Sequence, residues 1–198
     1  MAREAALLLY TSQEKEFKQA KLKAAETLGT RKLPSNLEVA VELDRIVEEY
    51  EGQQRSRHLV QMRKEALNIM KCVRRFNPRL IGSVWRGTAH RNSDIDIVVF
   101  TTNPKLVLNQ LRRNGFEIPK LEHISKPTGG GLEESLHIYI HLPSGDEAEI
   151  IVRSPENRDK KKICEIYGDV VRGLSINQLE HVLSEEPTRR FIPDKARA

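Results

Sequence analysis

Residues 82–97 read GSVWRGTAHRNSDIDI, and this stretch decides which fold the rest of the chain is expected to build. Asp94 and Asp96 alternate with isoleucines and lead into a β-branched run that ends at Phe100. This period of two predicts a strand over residues 93–100, with one face in a core and both aspartates on the other face. At a rise of about 3.3 Å per residue, the two aspartate Cα atoms would lie about 7 Å apart.

The two aspartates and the turn before them predict a binding site. Carboxylates this close repel each other unless a cation lies between them, and hard oxygen ligands suit Mg²⁺ or Mn²⁺. Gly82 and Ser83 are typical of a tight turn in which backbone N–H groups approach a phosphate and the serine hydroxyl adds a donor. Each motif alone is typical of an ordinary strand or turn, but the combination is specific.

These residues also carry a family resemblance. Gly82-Ser83, the RGTA of residues 86–89 and the SDID of residues 93–96 resemble the signature of the DNA polymerase beta-like nucleotidyltransferase superfamily. They are most similar to its minimal nucleotidyltransferase branch, which includes antitoxin partners of helical toxins. The resemblance implies a mixed α/β (α+β) fold with a mixed-sheet core. It also implies transfer of a nucleoside monophosphate from a nucleoside triphosphate, with ATP expected, to a hydroxyl, with release of pyrophosphate.

The resemblance implies a third carboxylate on a neighbouring strand. Glu149, between Ala148 and Ile150, is the first choice, and Glu147 is the alternative because it shares the same strand face. In the implied two-metal mechanism, Asp94 and Asp96 bridge the metal that binds the triphosphate. Both aspartates and Glu149 hold the metal that activates the attacking hydroxyl.

The resemblance places the nucleotide contacts at Gly82, Ser83, Arg86 and Ser93. Arg86 could donate two hydrogen bonds to a phosphate, or it could anchor the turn to another part of the fold. The sequence does not distinguish these roles. His137, Tyr139 and His141 alternate with aliphatic residues, so they share one face of a strand and could border the site. A half-solvated sheet shows the same alternation.

The remaining helices and strands are predicted from hydrophobic periodicity and from capping and turn residues. The chain is predicted to divide into a helical N-terminal extension (1–58), a nucleotidyltransferase core (59–155) and a C-terminal helical segment (156–198). Helices are predicted over residues 3–28, from the Ser35/Glu38 capping box to Gly52, on to Phe76, over 105–114, and after Pro155 through Ile163, Ile166 and Val170. Strands are predicted over 116–124, 136–142 and 147–152, a glycine loop over 129–131, a short helix capped by Ser175 and a frayed tail after Pro187.

Composition limits the class of protein. The 198 residues include 33 basic and 28 acidic side chains, a net charge of +5, so encounters with polyanions are only weakly favoured. Cys72 and Cys164 have no disulfide or zinc spacing. The apolar start, residues 5–10, is too short for a signal or a membrane span, so no membrane association and a cytoplasmic location are expected.

The acceptor is left open by the sequence. One alternative is an antitoxin-type protein that modifies or masks a partner, for which the N-terminal helices could supply a docking surface. Another is an enzyme that modifies RNA ends, suggested by the basic segments 55–64, 71–79 and 160–162, although solvated helix faces show similar charge. The sequence indicates no oligomeric state.

Overall fold

Five strands and the helices around them form the chain in the computed structural model, which describes residues 1–128 and 131–194. The predicted mixed α/β fold class is confirmed. The helices are α1 (Ala2–Tyr10), α2 (Phe17–Thr27), α3 (Asn36–Glu51), α4 (Gln53–Cys72), α5 (Gly82–Arg86), α6 (Pro104–Arg113) and α7 (Ile176–Glu185). The strands are β1 (Arg79–Ile81), β2 (Ile95–Phe100), β3 (Glu117–Thr128), β4 (Gly131–His141) and β5 (Glu147–Arg153).

The sheet has the strand order β1-β2-β5-β4-β3. β2 and β5 run parallel at its centre, and the other neighbouring pairs are antiparallel, including the predicted β4–β5 hairpin. Pro119 is accommodated in β3 because the β3–β4 register shifts between Glu117 and Lys120. The predicted glycine loop lies outside the described residues at positions 129 and 130.

The two faces of the sheet differ in what covers them. Ile97, Val99, Ile138 and Ile150 point to one face and join the buried side chains of α4, α6 and α7 in the main core. Successive strand residues point to opposite faces, so Asp96 and Glu149 lie on the other face. The alternation of apolar and acidic residues over 93–100 therefore places the aliphatic side chains in the core and the carboxylates on the opposite face of the sheet.

The N-terminal region is helical, as the sequence predicts, but the single helix expected over residues 3–28 is wrong. Helix α1 ends at Tyr10 because Ser12 takes a left-handed φ of +56°, and the N–H groups of Ser12 and Gln13 bond back to Leu9 and Leu8. Farther on, the capping box at Ser35 and Glu38 is confirmed. Helix propensity alone does not reveal the break, since no glycine or proline marks it.

The helix expected after Pro155 is also wrong. Residues 155–173 are mostly irregular, and Ile163 and Val170 pair across an isolated β-bridge. The backbone turns at Gly168, whose φ is +69°, and the N–H of Cys164 bonds to the carbonyl of Asp169. The apolar spacing therefore reflects a small hairpin rather than a helical face. Helix α7 and its cap at Ser175 are confirmed.

The tail after Pro187 packs on the protein as far as it is described, which corrects the expectation of fraying. Ile192 is buried, and the Phe191 N–H donates a hydrogen bond to the carbonyl of Arg86. Residues 195–198 lie outside the described part. Within that part, none of the helices combines the length and hydrophobicity that a bilayer crossing requires.

Candidate active site

Three carboxylates meet on the open face of the sheet. Asp94 immediately precedes β2, Asp96 lies within it, and Glu149 is the register partner of Asp96 on the parallel neighbour β5. One carboxylate oxygen from each of the three lies within 4.8 Å of the others. The structure thus groups Glu149 with the aspartates, whereas Glu147 is exposed and lies 3.3 Å from His141 Nδ1.

The cluster carries uncompensated negative charge. Burial, followed by the charges of Asp94 and Glu149, raises the pKa of Asp96 well above its usual range. Among the described residues, no lysine or arginine forms a salt bridge with any of the three carboxylates. Hard oxygen ligands that lack a cationic partner suit a divalent metal, and these residues fit Mg²⁺ or Mn²⁺.

Gly82 is required by the position of Asp96. Its φ is +69°, and a Cβ at this position would lie 1.8 Å from Asp96 Oδ2. The sequence explained this glycine by the approach of a phosphate, and the structure adds a contact that no sequence pattern reveals. Ser83 follows in the first turn of α5, where its carbonyl accepts from the Thr88 N–H.

Arg86 is an anchor in this structure. The residue is 4% exposed, and its guanidinium donates to both Asp169 carboxylate oxygens at 2.8 and 2.6 Å and to the Phe191 carbonyl at 2.8 Å. It also lies over the rings of Trp85 and Tyr167 at 4.2 and 4.9 Å. These contacts favour the anchoring alternative over a direct phosphate contact. Trp85 is correspondingly buried.

Arg63 is a positioning residue that sequence reasoning missed. Its fully buried guanidinium donates to the carbonyls of Val84 and Trp85 in α5 and to those of Pro187 and Arg189 in the tail. Burial lowers the pKa of Arg63 to about 10, well above neutral pH, so the side chain stays charged. The sequence placed this arginine in a basic helix segment, and only its apolar neighbours Met62 and Ala66 hinted at burial.

The loop between α5 and β2 is held by the N-terminal helices. Arg55, also buried, donates from Nε to the Ala89 carbonyl at 3.1 Å, and Asn92 donates to the Tyr10 carbonyl at 2.9 Å. Inside the loop, the Ser93 hydroxyl accepts from the His90 N–H at 3.0 Å. Ser93 therefore fixes the loop shape next to Asp94, and its role as a nucleotide contact stays a prediction.

The polar row on β4 faces the site. His137 Nδ1 lies 2.6 Å from Glu149 Oε1, and its Nε2 is hydrogen-bonded to Ser135 Oγ at 2.9 Å. Because a carboxylate only accepts, His137 donates from Nδ1 and orients Glu149. Tyr139 donates to Glu122 at 3.2 Å. Burial, followed by a hydrogen bond to Glu149, raises the pKa of Tyr139, so its hydroxyl stays protonated.

One cavity borders Asp94, and a second lies beside the turn at Gly82 and Ser83. One, of about 440 Å³, lies between the α1–α2 connection and the β4–β5 turn and is lined by Lys15, Arg91, Asp94 and Glu147 among others. The other, of about 250 Å³, lies beside Gly82 and Ser83 and is mostly apolar, with Phe17, Trp85 and Tyr167 in its wall. An apolar cavity next to polar groups has the form of a small-molecule site.

The sequence matches the nucleotidyltransferase domain family over residues 63–165, more than half of the chain. No curated protein matches it. Among solved structures, Cid1 in complex with the UTP analogue UMPNPP is 22% identical with a TM-score of 0.37, covering 48% of this chain and 28% of that chain.

Two further solved structures are similar over a part of their length. A cytoplasmic RNA terminal U-transferase is 16% identical, with a TM-score of 0.37 and coverage of 59% of this chain and 34% of its own. The GLD-2/RNP-8 complex is 15% identical, with a TM-score of 0.35, and the match covers 62% of this chain and 40% of that chain. The chain thus spans less than half the length of each. The family match confirms the resemblance read from residues 82–97, and this chain belongs to the nucleotidyltransferase domain family.

Proposed function

We propose that this protein transfers a nucleoside monophosphate from a nucleoside triphosphate to an acceptor hydroxyl, in a reaction that depends on Mg²⁺ or Mn²⁺. The observation that carries the proposal is the cluster of Asp94, Asp96 and Glu149, in which one oxygen of each carboxylate lies within 4.8 Å of the others. In the described structure no lysine or arginine forms a salt bridge with them. ATP is the triphosphate we expect, and the cytoplasm is the proposed location.

The reaction is a substitution at the α-phosphorus. The acceptor oxygen forms a bond to this phosphorus, the bond to the oxygen bridging to the β-phosphate breaks, and pyrophosphate leaves with the electron pair. The hydroxyl proton passes to solvent. Divalent metal held by the three carboxylates would neutralise the triphosphate and lower the pKa of the attacking hydroxyl.

The side chains of this protein supply orientation. His137 holds Glu149 toward the aspartates, and Gly82 leaves the space that Asp96 occupies. The backbone N–H groups at Gly82 and Ser83 would donate to the triphosphate, and the apolar cavity beside them would bind the nucleoside. Each of these groups is placed before substrate binds, which lowers the entropic cost of reaching the reactive arrangement.

Label transfer tests the proposal. The purified protein is incubated with each of the four α-labelled triphosphates and Mg²⁺ or Mn²⁺, first with total RNA and then with native cell extract. We expect label in RNA or in a discrete protein band, so a nucleic-acid and a protein acceptor are both detected. Asp94→Asn/Asp96→Asn should abolish transfer while leaving the fold intact, because the change preserves side-chain volume.

Glu149→Gln and Glu147→Gln form a matched pair on one strand face. We expect transfer to fall by at least about 100-fold in Glu149→Gln, since catalytic metal sites tolerate little misplacement, and to change little in Glu147→Gln. Transfer that survives Asp94→Asn/Asp96→Asn would contradict the proposal. Loss in Glu147→Gln with retention in Glu149→Gln would assign the third carboxylate to Glu147.

A further inference from the structure

A second polar feature lies beyond the carboxylates. A groove of about 370 Å³ runs between strands β1 and β2 and the segment 155–173. We call it the basic groove, because Arg79, Arg153, Arg158, Arg172 and the three lysines at 160–162 line it. Asp159 is the single acidic residue among the described side chains of its wall.

The basic groove lies on the same face of the sheet as the metal site. Phe100 and Arg153 are register partners on β2 and β5, as are Asp96 and Glu149. Each pair is separated from the other by four residues, an even number, so all four side chains point to one face. Val98, two residues from Asp96, also lines the groove, so at about 3.3 Å per residue the groove begins about 7 Å along the strands from Asp96 and reaches Phe100 at about 13 Å.

Most cations of the groove form no salt bridge within the described structure. In the described structure, no salt bridge involves Arg158, Arg172 or the lysines at 160–162. Arg153 Nη1 lies 3.6 Å from Glu133 Oε1. In the other basic segments, Arg55 and Arg63 are buried anchors and Lys71 pairs with Glu180. Desolvation, followed by the charges of Arg153 and Lys126, lowers the pKa of Lys162. Positive charge is crowded here, with few acidic side chains to offset it.

The opposite approach to the site has a different character. The cavity beside Asp94 is lined by four acidic residues, Glu14, Asp94, Asp146 and Glu147, and by only two basic ones, Lys15 and Arg91. A polyanion is therefore repelled on that side and attracted on the groove side. The basic groove also presents the partly exposed ring of Phe100, on which a base can stack.

We propose that the basic groove binds the phosphodiester backbone of a single-stranded nucleic acid whose terminal hydroxyl is the acceptor at the carboxylate site. This inference rests on the proposed nucleotidyl transfer for its orientation. Binding itself needs no catalysis, because the groove and the carboxylates are separate sets of side chains. The strand would run along the sheet face from Lys162 toward Glu149.

Salt-dependent binding measures the groove directly. The probe is a fluorescein-labelled single-stranded oligoribonucleotide, with a deoxyribonucleotide of the same sequence in parallel. The variant is Lys160→Gln/Lys161→Gln/Lys162→Gln, and the matched control is Lys105→Gln/Arg112→Gln/Arg113→Gln, which removes three exposed cations from α6. Helix α6 packs against the opposite face of the sheet, so both variants lose the same charge at different places.

The expected effect follows from counterion release. Each phosphate contact of a single strand contributes about 0.7 to the slope of log K against log salt. Loss of three contacts would reduce the magnitude of this negative slope by about 2. It would also weaken the affinity at 0.1 M salt by about 100-fold. The α6 control should keep its slope. A preference for either strand supports the inference, and a preference for the ribonucleotide adds recognition of the 2′-hydroxyl.

The two proposals fail separately. Equal loss of affinity in the groove variant and the α6 control, or absence of strand binding at low salt, would overturn the basic groove as a nucleic-acid site. Strand binding that persists in Asp94→Asn/Asp96→Asn supports the groove, whatever the outcome of the label-transfer assay. Transfer of label to a protein by a chain that binds no strand would leave the proposed function standing and remove this inference.

Discussion

Gly82 offers the sharpest test of how the turn and the carboxylates are coupled. In Gly82→Ala the new Cβ would lie 1.8 Å from Asp96 Oδ2, while ordinary van der Waals contact begins at 3.4 Å. The carboxylate must therefore move by about 1.6 Å, and a misplacement of about 1 Å at a reacting centre costs about 100-fold in rate. The severe contacts involve the carboxyl group, which can rotate away, and the Asp96 Cβ at 3.1 Å needs a shift of only a few tenths of an ångström, so we expect the fold to survive.

Gly29→Ala is the matched control. Gly29 has a φ of +61°, close to the +69° of Gly82, but a Cβ there meets nothing within 4 Å. The left-handed backbone costs about 1–2 kcal/mol in either variant, partly offset by a stiffer unfolded chain. Both variants should thus lose about 1 kcal/mol of unfolding free energy in urea denaturation.

The two variants should differ in function. Metal-dependent binding of a fluorescent nucleoside triphosphate and α-label transfer should fall by about 100-fold or more in Gly82→Ala and stay near the wild-type value in Gly29→Ala. Full binding and transfer by Gly82→Ala would refute the coupling between the turn and Asp96. Equal functional loss in both variants would trace the effect to stability instead.

Three further predictions concern the supports of the site. Arg63→Met should lower the unfolding free energy by about 3 kcal/mol, because four carbonyls lose a donor, whereas Arg45→Met at an exposed ion pair should cost under about 1 kcal/mol in urea melts. His137→Leu should weaken Mn²⁺ affinity by about 10- to 100-fold in nucleotide-binding titrations, and His137→Asn, which keeps a donor near the Nδ1 position, should weaken it less. The folded chain retains the Asp96 proton at a pH where the unfolded chain has lost it, so without metal the unfolding free energy falls as pH rises above about 4. Burial, followed by the charge of Glu149, also raises the pKa of Asp94, so Asp96→Asn should reduce that fall rather than remove it, and it should raise Tm in EDTA. Added Mg²⁺ should raise the Tm of the wild type alone, and an unchanged Tm in Asp96→Asn would contradict a destabilising Asp96 carboxylate.

Features encoded in a few neighbouring residues could be predicted. The strand at 93–100, the β4–β5 hairpin and the cap at Ser35 follow from alternation, turn residues and a side chain that bonds the nearby backbone. Each of these patterns has a period or a spacing that a single segment carries by itself. The grouping of Glu149 with Asp94 and Asp96 could be predicted only through the family resemblance, which implies a carboxylate on a neighbouring strand.

Features that depend on contacts between distant parts of the chain could not be predicted from the sequence. Arg63 and Arg86 bind carbonyls more than a hundred residues away, in the tail, and a guanidinium in a basic segment carries no mark of its partner. The segment 155–173 shows helical apolar spacing, yet Ile163 faces Val170 across a hairpin turned at Gly168. Tertiary packing overrides local preference in such segments.

The same long-range contacts bear on where the functional unit ends. The stretch from Gly82 to Asp94 is held from the N-terminal side by Arg55, and through Arg63 from the tail at Pro187 and Arg189. Helix α4 carries both arginines and runs without a break across the proposed boundary at residue 58. Removal of either flank would leave buried carbonyls or a buried guanidinium without partners, at a cost of about 1–3 kcal/mol for each group. We therefore propose that the extension and the tail belong to the catalytic unit, because they hold the loop on which both aspartates depend.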